Sequence, residues 1–93
     1  MYASIQNICL AHLVAVINVK NEKLIKAVGV QIRTLRIERK MSQEDLANEA
    51  EVPLSQIGRI ERGENNPTIS TLYALSNAMN INLKTLLDFK VEK

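Results

Sequence analysis

The stretch that decides the fold is SQEDLANEAEVPLSQIGRIERG, residues 42–63. Ser42 is followed three positions later by Asp45, which is capping-box spacing with Asp in place of the usual Glu or Gln, and this predicts the start of a short helix. Pro53 suits the first turn of a second helix because its missing N–H needs no partner there. Gly63 is a natural C-terminal cap. The stretch therefore predicts two short helices joined by a tight turn.

The apolar residues of this stretch have the spacing of a helix-turn-helix, in which two helices meet at a sharp angle. The positions predicted to face inward are Leu46, Ala47, Ala50, Val52, Ile57 and Ile60. Ala47 lies where the helices cross, so a larger side chain there would redirect the second helix. The positions predicted to face outward from the second helix are Leu54, Ser55, Gln56, Gly58, Arg59 and Arg62. Its one acidic residue, Glu61, falls on the side facing the first helix, within reach of Arg36.

Three further helices are predicted around this pair. Asn21 caps the first, whose apolar stripe runs through Leu24, Val28, Ile32 and Leu35. Thr68 caps the fourth, with the core residues Leu72, Leu75, Ala78 and Met79. Asn82 caps the fifth, which continues through Leu83, Leu86, Leu87 and Phe89. The sequence thus predicts an all-α fold of five short helices from about residue 21 to residue 90, in a domain assigned to residues 20–93.

The composition narrows the class of protein. The 93 residues are enough for one domain, and 46% of them are hydrophobic. One cysteine, Cys9, and one histidine, His12, exclude an internal disulfide and a Cys/His zinc cluster, so we expect no metal, no cofactor and a reducing compartment, the cytoplasm. Three aromatic residues are too few for binding by base stacking. The chain also has neither paired carboxylates nor a phosphate-binding glycine loop, which argues against an enzyme.

Charge is unevenly distributed, although the formal net charge is only +2. Residues 20–40 hold seven Lys or Arg and two Glu, a net charge of +5, whereas residues 41–52 hold four acidic residues and no basic one. A basic stretch of this kind fits a nucleic-acid partner and fits a solvated helix face equally well. Charge alone leaves both interpretations open.

Residues 1–19 differ from the rest because they contain no charged side chain, and every residue from Ile8 to Ile17 except His12 is apolar. Ten apolar residues are too few to span a bilayer, and no basic residues precede them as in a secretory signal. Helical and strand spacing both fit. We expect this extension either to pack on its own domain or on a second copy, or to be an unstructured extension. Cys9 and His12 are interpreted as packing residues rather than ligands.

From Val30 to Phe89 the chain resembles the phage-repressor and Cro-like helix-turn-helix domains of the Xre type. The resemblance covers about two thirds of the chain and depends on three features: the SQEDLA opening, the IGRIERG segment and the spaced leucines of the last two helices. It implies a five-helix DNA-binding domain that works as a dimer on near-palindromic operators.

The resemblance also implies roles for individual residues. Gln43 matches the helix-start residue that touches the DNA backbone or a base edge. The positions that enter the major groove, on a recognition helix of about residues 54–61, are Leu54, Ser55, Gln56 and Arg59. The positions that contact phosphates at the helix exit are Arg62, Asn65 and Asn66. Arg36 and Glu61 match a structural ion pair between the first and third helices.

The chain departs from the family pattern at three positions. Glu51 stands at a turn position usually held by Gly, which costs roughly 1 kcal/mol if the backbone there is left-handed. Pro53 replaces the customary Ser or Thr cap, and Leu54 is apolar where a polar side chain is common, so it could touch a thymine methyl but donates no hydrogen bond. Gly58 costs about 1 kcal/mol relative to Ala in a helix, and we interpret it as allowing a close approach to DNA. Polar base readout then falls on Ser55, Gln56 and Arg59.

The function predicted from these features is a sequence-specific regulator of transcription that binds double-stranded DNA as a homodimer, with repression as the expected mode. The candidate dimer interfaces are residues 1–19 and the apolar fifth helix. The alternative is an antitoxin or adaptor that grips an unlike protein partner through residues 1–19. No membrane association is expected.

Overall fold

The computed structural model describes residues 21–91, in which five helices and no strand occur. The helices are α1 (Glu22–Glu38), α2 (Gln43–Ala50), α3 (Leu54–Glu61), α4 (Ile69–Ala78) and α5 (Leu83–Leu86). The predicted all-α class is therefore confirmed. The expectations for residues 1–19, including their part in association, lie outside the described residues. Over residues 21–91, no helix combines the length and the apolar character needed to cross a membrane.

Four of the helices begin at the predicted N-caps, which are Asn21, Ser42, Thr68 and Asn82. At the start of α2 the capping box is complete: the Asp45 N–H donates to Ser42 Oγ, and the Ser42 N–H donates to Asp45 Oδ2, both at 2.9 Å. The backbone N–H of Ser42 stabilises the charged carboxylate and so lowers the pKa of Asp45. These short-range bonds fix where α2 starts.

The turn between α2 and α3 confirms one sequence interpretation and corrects another. Glu51 takes the left-handed conformation with φ 57°, the strained position considered above for a residue that replaces Gly. The missing N–H of Pro53 suggested a place inside the first turn of α3, but Pro53 lies one residue earlier, at the N-cap position that the resemblance implies, with φ −55° and ψ 139°. It makes no side-chain capping bond. A capping side chain must accept a hydrogen bond from a backbone N–H, and proline has no side-chain acceptor. Pro53 therefore precedes α3 without capping it.

The core lies where α3 packs against α1 and α2, with α4 and α5 closing the other side. Within residues 21–91, the fully buried apolar side chains are Ile32, Leu46, Ile57, Ile60, Leu75 and Leu86. Burying such a side chain stabilises the fold by roughly 1.5–3 kcal/mol. Because Ile57 and Ile60 are two of the six, α3 is held by one face and turns the opposite face to solvent.

The predicted apolar stripe of α1 is wrong at its first member. Leu24 is 42% exposed, whereas Ile25 is 4% exposed and belongs to the buried face. The reason is that α1 meets α3 through Gly29 and Arg36, which are also buried. The buried face of α1 therefore includes Gly29 and Arg36, and Leu24 lies at the edge of this face.

The predicted fifth helix is too long. In the structure α5 ends at Leu86 rather than continuing through Leu87 and Phe89, and Leu87 is 37% exposed. The Gln31 side-chain amide on α1 donates to the carbonyl oxygens of Thr85 and Asp88 at 3.5 and 3.4 Å. These bonds attach the end of α5 to α1. In a longer helix the same carbonyl oxygens would accept from backbone N–H groups further along the chain.

Candidate nucleic-acid interface

The small residue Ala47 is 5% exposed and belongs to the same buried cluster as Leu46, Ile57 and Ile60. Val52 and Ala50 pack against that cluster and are half-buried. The packing of α2 against α3 therefore depends on a small side chain at position 47, which a larger one would disturb. This packing decides where the outer face of α3 points.

The outer face of α3 carries no carboxylate. Leu54 is 44% exposed, and Ser55 and Arg59 are exposed beside it, while Gln56 is half-buried at the edge. Glu61, the only acidic residue of α3, has a side chain that is just 4% exposed. A surface of this kind offers hydrogen-bond donors and positive charge to an anionic partner.

The Glu61 carboxylate accepts hydrogen bonds in a network that joins the first three helices. Arg36 donates from Nε to Glu61 Oε2 at 2.7 Å and from Nη2 to Glu61 Oε1 at 2.9 Å. Its remaining nitrogen, Nη1, donates to the Met41 carbonyl oxygen at 2.8 Å. The carboxylate that accepts these bonds raises the pKa of Arg36. The structure thus joins the two residues that the resemblance pairs, and their pairing fixes the end of α3 against α1.

Gln43 also belongs to this network. Its Nε2 donates to Glu61 Oε1 at 3.0 Å, and the side chain is half-buried at the start of α2. Arg33, Arg36, Gln43, Glu61 and Arg62 line a polar cleft of about 280 Å³. Arg33 is exposed at the edge of this cleft and is a candidate DNA contact that the sequence interpretation missed. The net positive charge of residues 20–40 was the signal that could have indicated it.

Gly58 was predicted to face outward and be exposed, but the structure buries it, and the close approach to DNA inferred for it stays a prediction. It is buried beneath the Arg62 side chain: a Cβ atom on Gly58 would lie 2.9 Å from Arg62 Nη1. Arg62 in turn forms an exposed ion pair with Glu64, with Nε 2.7 Å from Oε2. Glu64, which the sequence interpretation did not single out, therefore lies at the exit of α3 together with a predicted DNA contact.

The loop after α3 carries the other two predicted phosphate contacts, Asn65 and Asn66. Asn66 is exposed and Asn65 is half-buried. Gly63 begins the loop with φ 74°, a left-handed conformation that glycine adopts without strain. Its N–H donates to the Ile60 carbonyl oxygen at 3.0 Å, which ends α3 and turns the loop alongside it.

The glycine that matters for placing α3 is Gly29, in the middle of α1. A Cβ atom there would collide with the Ile60 carbonyl oxygen and would lie 2.8 Å from the Glu61 carbonyl oxygen. The backbones of α1 and α3 thus approach so closely that only glycine fits. The available signal was a glycine inside a helical pattern, where it costs about 1 kcal/mol relative to Ala.

Comparison with known proteins agrees with this geometry. A helix-turn-helix family model matches residues 32–86. The chain is 38% identical over 60 residues to the immunity repressor protein of Bacillus phage phi105, covering 64% of this chain and 42% of that one, so it spans less than half of that repressor. It is 37% identical over 62 residues to control protein C.BamHI of Bacillus amyloliquefaciens, covering 66% of this chain and 76% of that one.

Solved structures lead to the same family. The restriction-modification controller protein C.AhdI from Aeromonas hydrophila superposes with a TM-score of 0.64 at 33% identity, covering 68% of this chain and 94% of that one. The matched region contains all of α2 and α3, with the buried crossing and the acid-free outer face described above. The chain therefore belongs to the Xre-type helix-turn-helix family.

Proposed function

We propose that the protein binds double-stranded DNA in a sequence-specific manner and regulates transcription, with α3 entering the major groove. The observation that carries this function is the outer face of α3, which is exposed and presents hydrogen-bonding side chains, and to which α3 itself contributes no carboxylate. The similarity to a phage immunity repressor and to control protein C.BamHI supports a regulatory role, and repression by occupying promoter DNA is the mode we favour.

In this proposal Leu54, Ser55, Gln56 and Arg59 face base edges. Gln43, at the start of α2, reaches the DNA backbone or a base edge, and Asn65 and Asn66 contact phosphates after α3.

The experiment is selection of duplexes from a randomised pool, followed by a mobility-shift assay with the enriched sequence and a scrambled one. Enrichment of a two-fold symmetric sequence is the expected result. If no duplex is retained even at low salt, the protein does not act on DNA in this way.

Arg59→Ala is expected to weaken binding to the selected duplex by about 1–3 kcal/mol, which is roughly 5- to 150-fold. Arg59 is exposed on the outer face of α3, where a guanidinium can donate two hydrogen bonds to guanine O6 and N7. The preference at one base pair in each half-site should relax. The measurement is fluorescence anisotropy with the selected duplex and its single-base-pair variants, and Lys84→Ala, which removes an exposed cation from α5, is the control. Equal losses on every duplex would instead make Arg59 a phosphate contact.

The proposed DNA-binding form is a homodimer, because one short recognition helix covers only a few base pairs and two half-sites lie roughly 34 Å apart. The fifth helix itself exposes little apolar surface: Leu86 is fully buried, Leu83 is half-buried, and the exposed Leu87 follows the helix. The exposed apolar side chains beside it are Leu24, Ile69 and Leu87, which line an open groove of about 460 Å³. We place the second copy at this groove, where Ile69 is 66% exposed.

Ile69→Asp is expected to weaken self-association at least tenfold, because it buries a carboxylate in an apolar interface. The folded monomer should be unaffected, since an acid in the first turn of a helix is favourable. Sedimentation equilibrium measures the change, with Ile37→Asp at the other end of α1 as the control, because Ile37 is 54% exposed and does not line the groove.

A second variant separates the two candidate interfaces. If deleting residues 1–19 dissociates the dimer while Ile69→Asp does not, the interface lies in the N-terminal segment. Co-purification of an unlike protein in equal amount would favour the antitoxin or adaptor function.

A further inference from the structure

The Arg62 side chain folds back along the outer face of α3. Its Nη1 and Cζ atoms lie 2.9 and 3.8 Å from where a Cβ atom of Gly58 would be, so the guanidinium fills the space above that glycine. Ser55 lies seven residues before Arg62, and seven residues are nearly two helical turns, which places both residues on one line along the helix. The guanidinium therefore lies over the middle of the outer face rather than beyond its end.

Glu64 holds the guanidinium by one edge. Arg62 donates from Nε to Glu64 Oε2 at 2.7 Å and from Nη2 to Glu64 Oε1 at 3.4 Å. A guanidinium is a planar fork with five N–H donors. Three remain after the two bonds to Glu64, and two of these, one on Nη1 and one on Nη2, lie side by side at its outer end. Two parallel donors at that end match the O6 and N7 acceptors of guanine in the major groove.

We propose that Arg62 reads a guanine and that Glu64 is a positioning residue for this specificity, an inference that rests on the DNA-binding function proposed above. It replaces the phosphate contact that the resemblance implies for Arg62. The ion pair is 59% and 54% exposed, so it contributes little to stability. Its effect is to favour one orientation of a long, exposed side chain before DNA arrives, which lowers the entropy lost on binding.

The same pair reduces binding to DNA of any sequence. Glu64 neutralises Arg62 at the exit of α3, and a carboxylate close to the phosphates is repelled by them. A free arginine at this position would attract every duplex alike. Arg62 and Glu64 together thus favour discrimination over general affinity.

The experiment uses the full chain and the duplex that the wild type enriches from a randomised pool. Binding to this duplex, to each single-base-pair variant and to a scrambled duplex is measured by fluorescence anisotropy over a salt series. The variants are Arg62→Lys, Arg62→Ala, Glu64→Gln and Glu64→Ala. Glu38→Gln, which removes an exposed carboxylate from the last turn of α1, is the matched control.

Arg62→Lys keeps the charge but loses the paired donors, so we expect the preference for one guanine per half-site to fall about tenfold or more. Glu64→Ala should reduce the same preference less, while it strengthens binding to the scrambled duplex and increases the salt slope by about one per subunit. Replacing that guanine with 7-deazaguanine, which lacks the N7 acceptor, should weaken the wild type and leave Arg62→Ala unchanged.

If Arg62→Lys keeps every base preference and Arg62→Ala weakens all duplexes equally, Arg62 contacts a phosphate and this inference is wrong, although the proposed function stands. A Glu64→Ala variant that matches Glu38→Gln in preference and salt slope would overturn the role of Glu64. If the wild type enriches no sequence, the proposed function itself fails and this inference fails with it.

Discussion

Arg36→Ala is expected to lower the free energy of unfolding by about 3 kcal/mol or more, which for a domain of this size lowers the melting temperature by roughly 12 °C or more. The side chain of Glu61 is 4% exposed and accepts two hydrogen bonds from Arg36 at 2.7 and 2.9 Å. Removing the guanidinium leaves a buried carboxylate with only the Gln43 amide at 3.0 Å. It also removes the bond to the Met41 carbonyl oxygen.

Circular dichroism at increasing temperature measures this loss, and Arg33→Ala is the matched control. Arg33 lies on the same helix but is exposed, so its replacement should change stability by no more than about 0.5 kcal/mol. The double variant Arg36→Met with Glu61→Leu should be more stable than Arg36→Ala alone, because no buried charge is left without its partner. An Arg36→Ala variant that melts normally and no longer binds DNA would show that Arg36 is a DNA contact.

The helix starts could be predicted because they depend on residues three positions apart. The Ser42 and Asp45 capping box and the Asn82 cap are local patterns, and the structure contains both. The two buried isoleucines of α3, Ile57 and Ile60, follow from its 3.6-residue period for the same reason. Local order of this kind was enough to predict the number of helices and their type.

Contacts between helices could not be read from spacing. The sequence shows two glycines inside helices, and the interpretation gave the functional role to Gly58 rather than to Gly29. Which glycine meets another backbone depends on how α1 and α3 pack, and no periodicity contains that information. The pairing of Arg62 with Glu64 escaped prediction because it depends on how the loop turns after Gly63. The roles of single residues toward DNA remain predictions.

The two glycines provide a matched pair of substitutions with opposite expected signs. Alanine gains about 1 kcal/mol over glycine inside a helix in both cases. At Gly58 the new methyl group meets only Arg62 Nη1, the end of a flexible side chain, which can move away. Gly58→Ala should therefore keep or raise the melting temperature, and it should displace the Arg62 guanidinium from the middle of the outer face.

Gly29→Ala is expected to destabilise the fold by about 1–3 kcal/mol, because overpacking against backbone exceeds the gain in helix propensity. Its methyl group meets the carbonyl oxygens of Ile60 and Glu61, which belong to the last turn of α3 and cannot rotate away. To relieve the contact, α3 must move off α1, which loosens the bonds from Arg36 to Glu61 and re-aims Arg59. We therefore expect weaker binding to the selected duplex even at 10 °C, where the variant is still folded. Thermal melting and anisotropy measured on both glycine variants test this, and a Gly29→Ala protein as stable as Gly58→Ala would show that α1 and α3 do not approach as closely as described.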